Sequence, residues 1–175
     1  MNKTPWVALA LSLVPLLSLP ASARDGCGAL AAERVLDAIA QARAQGAHCG
    51  RRGAFAAAAP LRWSPALERV ARQQASWVAE AGQLSHSGRD GQTLAQRAQA
   101  AGYHYARIAE NLAQGQHDLP ETIAAWTASD GHCANLFDGG VSEMALVCAP
   151  AGNGQPIWVL VLGRPMAAAG PAPRQ

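Results

Sequence analysis

The apolar residues of this chain change their period once, near residue 140, and that switch limits the fold more than any other feature. Beyond it, Met144 to Cys148 and Ile157 to Leu162 are rich in Val, Leu and Ile, and Ala151-Gly152-Asn153-Gly154 separates them. Two such runs around a Gly/Asn loop predict a β-hairpin with a slightly long turn. Before the switch the spacing is helical. Leu30, Val35, Leu36 and Ile39 mark one face of a helix over Ala29 to Gln45, ended by Gly46. Ser64-Pro65 supplies an N-cap and a first-turn proline for a second helix, with Leu67, Val70, Ala71, Gln74, Trp77 and Val78 on one face up to Gly82. Thr93 to Ala101 reads as a third helix stopped by Gly102, and Tyr103 to Ile108 as a short strand leading into Glu110. Asp118 and Glu121 have capping-box spacing, which starts a fourth helix near Leu119 and places His132 at or just beyond its end. Helices first and strands last predict an α+β chain.

The N-terminus bears on the compartment. Met1-Asn2-Lys3 is basic, Trp6 to Leu19 is nearly all apolar, and Ala21-Ser22-Ala23 offers small residues for cleavage, so residues 1–23 read as a secretory signal peptide cut after Ala23. The apolar run is short for a membrane span and is broken by Pro15. Residues 24–165 then form a single domain, of a size that buries roughly two-thirds of its unfolded surface, and residues 166–175 an Ala/Pro/Gly tail expected to be disordered. The chain carries 14 basic and 12 acidic residues, and its only lysine, Lys3, lies in the leader, so the mature protein is nearly neutral. That balance gives no reason to expect nucleic acid or an anionic membrane as partner. Arg51-Arg52 reads as part of a solvated connector.

Four cysteines in a secreted chain predict two disulfides. Three pairings exist, and the sequential one is preferred: Cys27 with Cys49, and Cys133 with Cys148. Each would close a loop of roughly 15 to 20 residues, worth on the order of 3 kcal/mol. A four-cysteine zinc site is the competing reading, and the absence of any Cys-x-x-Cys pair counts against it.

Candidate chemistry rests on His86, Glu110, His132 and Glu143. Imidazoles and carboxylates build both metal and acid–base sites. All four fall near predicted ends of helices or strands, where side chains from different elements can converge on one cleft. They are too widely spaced for a local His-Glu-x-x-His motif. Ser85, Ser87 and Ser129 lie near the histidines, yet no Gly-x-Ser-x-Gly turn presents them as nucleophiles; the Ser129 hydroxyl is expected to bond to backbone at a helix end. Trp63, Trp77, Trp126 and Trp158 are expected in the core.

The words around these residues resemble the CAP superfamily of cysteine-rich secretory, antigen 5 and pathogenesis-related 1 proteins, in its bacterial secreted branch. The resemblance runs from about Leu30 to Arg164. It rests on Leu61-Arg62-Trp63-Ser64-Pro65-Ala66-Leu67, Leu84-Ser85-His86-Ser87, Ala100-Ala101-Gly102-Tyr103, Glu110-Asn111-Leu112-Ala113 and the spacing Trp126, Ser129, His132, Asn135, Leu136. It implies a three-layer α-β-α sandwich with a mostly antiparallel central sheet and a cleft lined by His86, Glu110, His132 and Glu143. One divalent cation, most often zinc, would be held there by His86 and His132 with Glu110 and Glu143. Two departures stand out. The bacterial motif Glu-x-Gly-Val-Gly is replaced by Glu143-Met144-Ala145-Leu146-Val147, whose side chains are expected to leave the cleft beside Glu143 narrower or differently shaped. Gln73, Gln74 and Ser76 replace a family pattern in the second helix, read as surface variation.

The function implied is a secreted or periplasmic binding module for a lipid, glycan or protein ligand, monomeric and more a binder than an enzyme. A metal-assisted hydrolase with Glu110 or Glu143 as base is one alternative, and a structural or interaction protein the other.

Overall fold

The structure, a computed structural model, describes Cys27, Gly28 and residues 30–167. The expected leader and most of the expected tail lie outside the described residues. The elements are α1 (Ala32–Ala44), β1 (Ala47–His48), β2 (Ala54–Phe55), β3 (Arg62–Trp63), α2 (Pro65–Ala81), α3 (Leu94–Ala100), β4 (Tyr105–Gln114), α4 (Leu119–Thr127), α5 (Asp130–Leu136), β5 (Glu143–Pro150) and β6 (Pro156–Pro165).

Local chemistry explains most boundaries. Ser64 caps α2 by accepting from the Leu67 N–H, Pro65 occupies the first turn, and Gly82 ends the helix in the left-handed conformation at φ 65°. Thr93 and Gln96 form a reciprocal capping box on α3. Asp118 accepts from the Glu121 N–H at the start of α4, while Glu121 reaches back to the His117 N–H, one residue before the cap.

The central sheet has the order β3-β5-β6-β4. β5 and β6 form the antiparallel hairpin, β4 pairs antiparallel with β6, and β3 pairs parallel with β5. β1 and β2 make a separate two-stranded ribbon. Because successive strand residues face opposite ways, the sheet feeds two cores. Met144, Leu146, Leu160 and Leu162 pack with Val35, Ile39, Trp126 and Leu136 on the side of α1, α4 and α5. Ala145, Val147, Val159 and Val161 pack with Leu67, Val70, Ala71, Val78 and Ala98 on the side of α2 and α3. The β5 and β6 centre is buried on both faces, which is why its sequence is continuously apolar rather than alternating.

Three expectations need correction here. The disulfides join Cys27 to Cys148 and Cys49 to Cys133, with Cα separations of 5.2 and 5.4 Å, and not Cys27 to Cys49 or Cys133 to Cys148. Cys49 follows β1 on the side of the sheet where α1, α4 and α5 pack together, so it meets Cys133 on α5, and the segment before α1 crosses β5 at Cys148. Proximity in the fold overrides proximity in sequence. His132 lies inside a separate helix, α5, in its first turn, rather than at the end of α4. Ser129 is the N-cap residue of α5, but its hydroxyl makes no capping hydrogen bond.

Candidate functional site

Strand β4 lies at the sheet edge, and two adjacent residues in it organise the site. Glu110 pairs with Val161 and Asn111 with Leu160, so their side chains enter opposite layers. Glu110 is therefore mid-strand, not at an element end. Toward the α2 and α3 layer, one Glu110 carboxylate oxygen meets His86 Nδ1 at 3.0 Å and the other accepts from Arg97 at 2.6 Å. Toward α5, the Asn111 amide donates to the His132 carbonyl at 2.9 Å, and its oxygen accepts from the Asn135 amide at 2.9 Å. One strand edge thus holds the segments carrying both histidines.

The two imidazoles differ electrically. The hydrogen bond to Glu110 raises the His86 pKa above the usual histidine range, against burial and the nearby Arg97 charge. Burial, and then the His86 charge, lower that of His132. The His86 side chain is 61 % exposed while that of Glu110 is 2 % exposed, so His86 is the face of a buried charge pair. A hollow of about 320 Å³ beside it is lined by His86, Ser87, Thr93, Leu94 and Glu110.

Glu143 opens β5 and is committed elsewhere. It accepts from Tyr103 Oη at 3.0 Å and from Arg62 at 3.1 Å. Burial, with the hydrogen bond to Glu143, pushes the Tyr103 phenol well above its ordinary range. Glycine is needed at position 163, since a Cβ there would lie 2.6 Å from Tyr103 Oη. The structure joins His86 with Glu110, brings His132 within the reach of His86's charge, and turns Glu143 to Tyr103 and Arg62. The residues after Glu143 do not narrow the cleft: Met144 and Leu146 enter one core, Ala145 and Val147 the other.

The comparisons with known proteins bear on this arrangement. The model of the cysteine-rich secretory protein (CAP) family matches residues 26–162. The chain belongs to the CAP family. An outer surface protein of Borrelia burgdorferi has a similar structure at TM-score 0.60 and 19% identity, over 78% of this chain and 97% of that one. An extracellular SCP-domain protein of Bacillus anthracis gives 0.61 at 18% identity, over 75% of this chain and 39% of that one. A cysteine-rich secretory protein of Staphylococcus aureus gives 0.55 at 16% identity, over 75% and 38%. The chain therefore spans well under half of the last two. No curated protein sequence matches it.

In this CAP domain the described residues include no group of three or more His, Cys, Asp or Glu side chains arranged to hold a metal ion. The reason is visible in the hydrogen bonds. Both Glu110 oxygens and both Glu143 oxygens already have protein partners. As arranged, the four residues do not fit a joint four-ligand cation site: His86 Nδ1 faces Glu110, which leaves its Nε2 and the His132 ring as the nitrogens without such commitments.

Sequence reasoning missed the supports of the site. Gln74 is fully buried and donates to the carbonyls of Ser85 and Ser87 at 2.5 and 3.4 Å, so it is not surface variation. Arg97, also buried, donates to the carbonyls of His86 and Gln92 as well as to Glu110. Trp77 is half-buried outside both cores; its indole N–H donates to the Ser87 carbonyl and Arg89 stacks over its ring at 4.9 Å. Trp126 and Trp158 are core residues as expected. The only available signal was Gln74 falling on the apolar face of α2.

Proposed function

We propose that this CAP domain is a binding module, secreted or periplasmic after cleavage of its leader, whose cleft takes a polar ligand, a glycan or an extended peptide, at His86 and His132. The observation that carries this reading is the burial of Glu110 beneath His86 and Arg97, its side chain only 2 % exposed. A general base must come within hydrogen-bond reach of the proton it takes, whereas here the Glu110 carboxylate is buried, with one oxygen on His86 and the other on Arg97. The group presented to solvent is an oriented imidazole. The hollow beside it is lined by Ser87, Thr93 and Leu94 next to the histidine, so a ligand there meets apolar surface with the His86 ring as its polar anchor. No helix among the described residues is long and apolar enough to cross a membrane, and two disulfides fit an oxidising compartment.

The test is recovery of ligand. Protein secreted from a bacterial host and extracted under denaturing conditions should release a glycan or peptide detectable by mass spectrometry, and His86→Ala should lose most of it while keeping its melting temperature within a few degrees. A lipid in the extract, or equal retention by both proteins, contradicts the reading. A hydrolase is the second reading, because a buried carboxylate orienting a histidine is also an acid–base arrangement. It requires turnover of peptide or ester substrates that Glu110→Gln abolishes.

A further inference from the structure

The loop from Ser85 to Gly88 is held from below in an unusual way. Three successive carbonyls, those of Ser85, His86 and Ser87, each accept from a side chain: Gln74 on α2 takes the first and third, Arg97 on α3 the second, and Trp77 on α2 the third again. Gly88 lies directly on the two buried side chains, for a Cβ there would stand 3.2 Å from Arg97 Cδ and 3.3 Å from Gln74 Oε1. Gln74 Oε1 and Arg97 Nε are themselves buried without a hydrogen-bond partner. Leaving two buried polar atoms unsatisfied costs stability, so these residues are poor choices for filling a core and good ones for fixing a loop.

What they fix is the ring of His86. Arg97 binds the Glu110 carboxylate and the His86 carbonyl together, so backbone and carboxylate cannot drift apart. An ionised carboxylate only accepts hydrogen bonds. Facing Glu110 at 3.0 Å, Nδ1 must carry the proton, and in the neutral ring Nε2 keeps its lone pair. We propose that Gln74, Trp77 and Arg97 are positioning residues that lock His86 in the Nδ1–H tautomer, so that the cleft presents a hydrogen-bond acceptor at Nε2 and selects ligands that place a hydroxyl or N–H donor there. This rests on the reading of the cleft as a binding site and narrows its ligand class to donors.

The tautomer can be read without any ligand, which separates failure of this proposal from failure of that reading. Ring 15N chemical shifts of the full mature protein, recorded at a pH where both histidines are neutral, report which nitrogen carries the proton. The wild type should show His86 predominantly as Nδ1–H. Gln74→Met, which keeps the volume but not the donors, should move His86 toward the Nε2–H form that free histidine prefers. Arg97→Lys, whose ammonium lacks the planar fork, should do the same. Trp77→Phe, at a half-buried position outside both cores, should give a smaller shift in that direction and keeps the test open if the buried variants fail to fold. The His132 shifts serve as the control and should not move. A wild-type His86 in the Nε2–H form, or folded variants that all keep the wild-type tautomer, would overturn the proposal. Shifts that change equally at His132 would show a general structural effect and overturn it too.

Discussion

Glu110 shares one carboxylate between an arginine and a histidine, while His132 is governed by burial, so the two histidines respond to acid in opposite senses. His86 has its pKa raised above the unfolded value of about 6.5, mainly by the hydrogen bond to Glu110. Its contribution to stability is full below pH ~6.5 and fades as pH rises through the native value. His132 has its pKa lowered by burial, so the folded state holds its proton less tightly than the unfolded chain, and stability is lost as pH falls from about 6.5 through the native value. His86→Ala should therefore lack the gain in stability that the wild type shows as pH falls toward ~6.5 from above, and His132→Ala should lose stability less steeply than the wild type as pH falls below ~6.5, each by under about 1 kcal/mol given solvent screening at these partly exposed rings. Urea midpoints followed against pH check this; parallel slopes for all three proteins would contradict it. At this scale the sequence showed His86, Glu110 and His132 through the short words around them. It did not show Gln74 or Arg97, because a buried polar residue is recognisable only by partners, here carbonyls 11 to 13 residues away, that tertiary structure supplies.

Among the elements, the disulfides carry the clearest consequence. The loop of 84 residues closed by Cys49–Cys133 nests inside the one of 121 residues closed by Cys27–Cys148. Taken alone, each would contribute on the order of 4–5 kcal/mol in the chain-entropy model. Nested loops share that entropy, so removing either bridge while the other stands should cost less, and removing both more than either alone. Cys49→Ser with Cys133→Ser should accordingly lower stability by roughly 2–4 kcal/mol, read from urea unfolding, and it frees α5 from the turn at Gly50–Arg52. The variant also loses the covalent brace beside the ion pair of Arg51 with Asp130. A non-reducing digest should return the 27–148 and 49–133 peptides; the sequential pairing in that digest would contradict the fold. The helices capped by Ser64, Thr93 and Asp118 were legible because capping is local, as was the hairpin because its period is. The pairing of cysteines was not, since it depends on which layer each helix joins.

The whole molecule places its site where the two helical layers meet one sheet edge. α2 and α3 deliver His86 and its supports, α5 delivers His132, and β4 ties both through Glu110 and Asn111. The layer order follows from the doubly buried β5 and β6, and the family resemblance anticipated it correctly as an α-β-α sandwich. What the sequence left open was the direction of each side chain: Glu143 carries the right chemistry at the right sheet face, yet Tyr103 and Arg62 claim it. On the proposed reading, the edge of β4 is a binding cleft. Titrating 15N-labelled mature protein with soluble glycan and peptide fragments released from a bacterial envelope tests it most directly. The expected result is saturable amide shifts concentrated at His86, Ser87, Thr93, Leu94, Glu110 and His132, abolished by His86→Ala; shifts gathered at another surface, or unaffected by that substitution, would contradict the account.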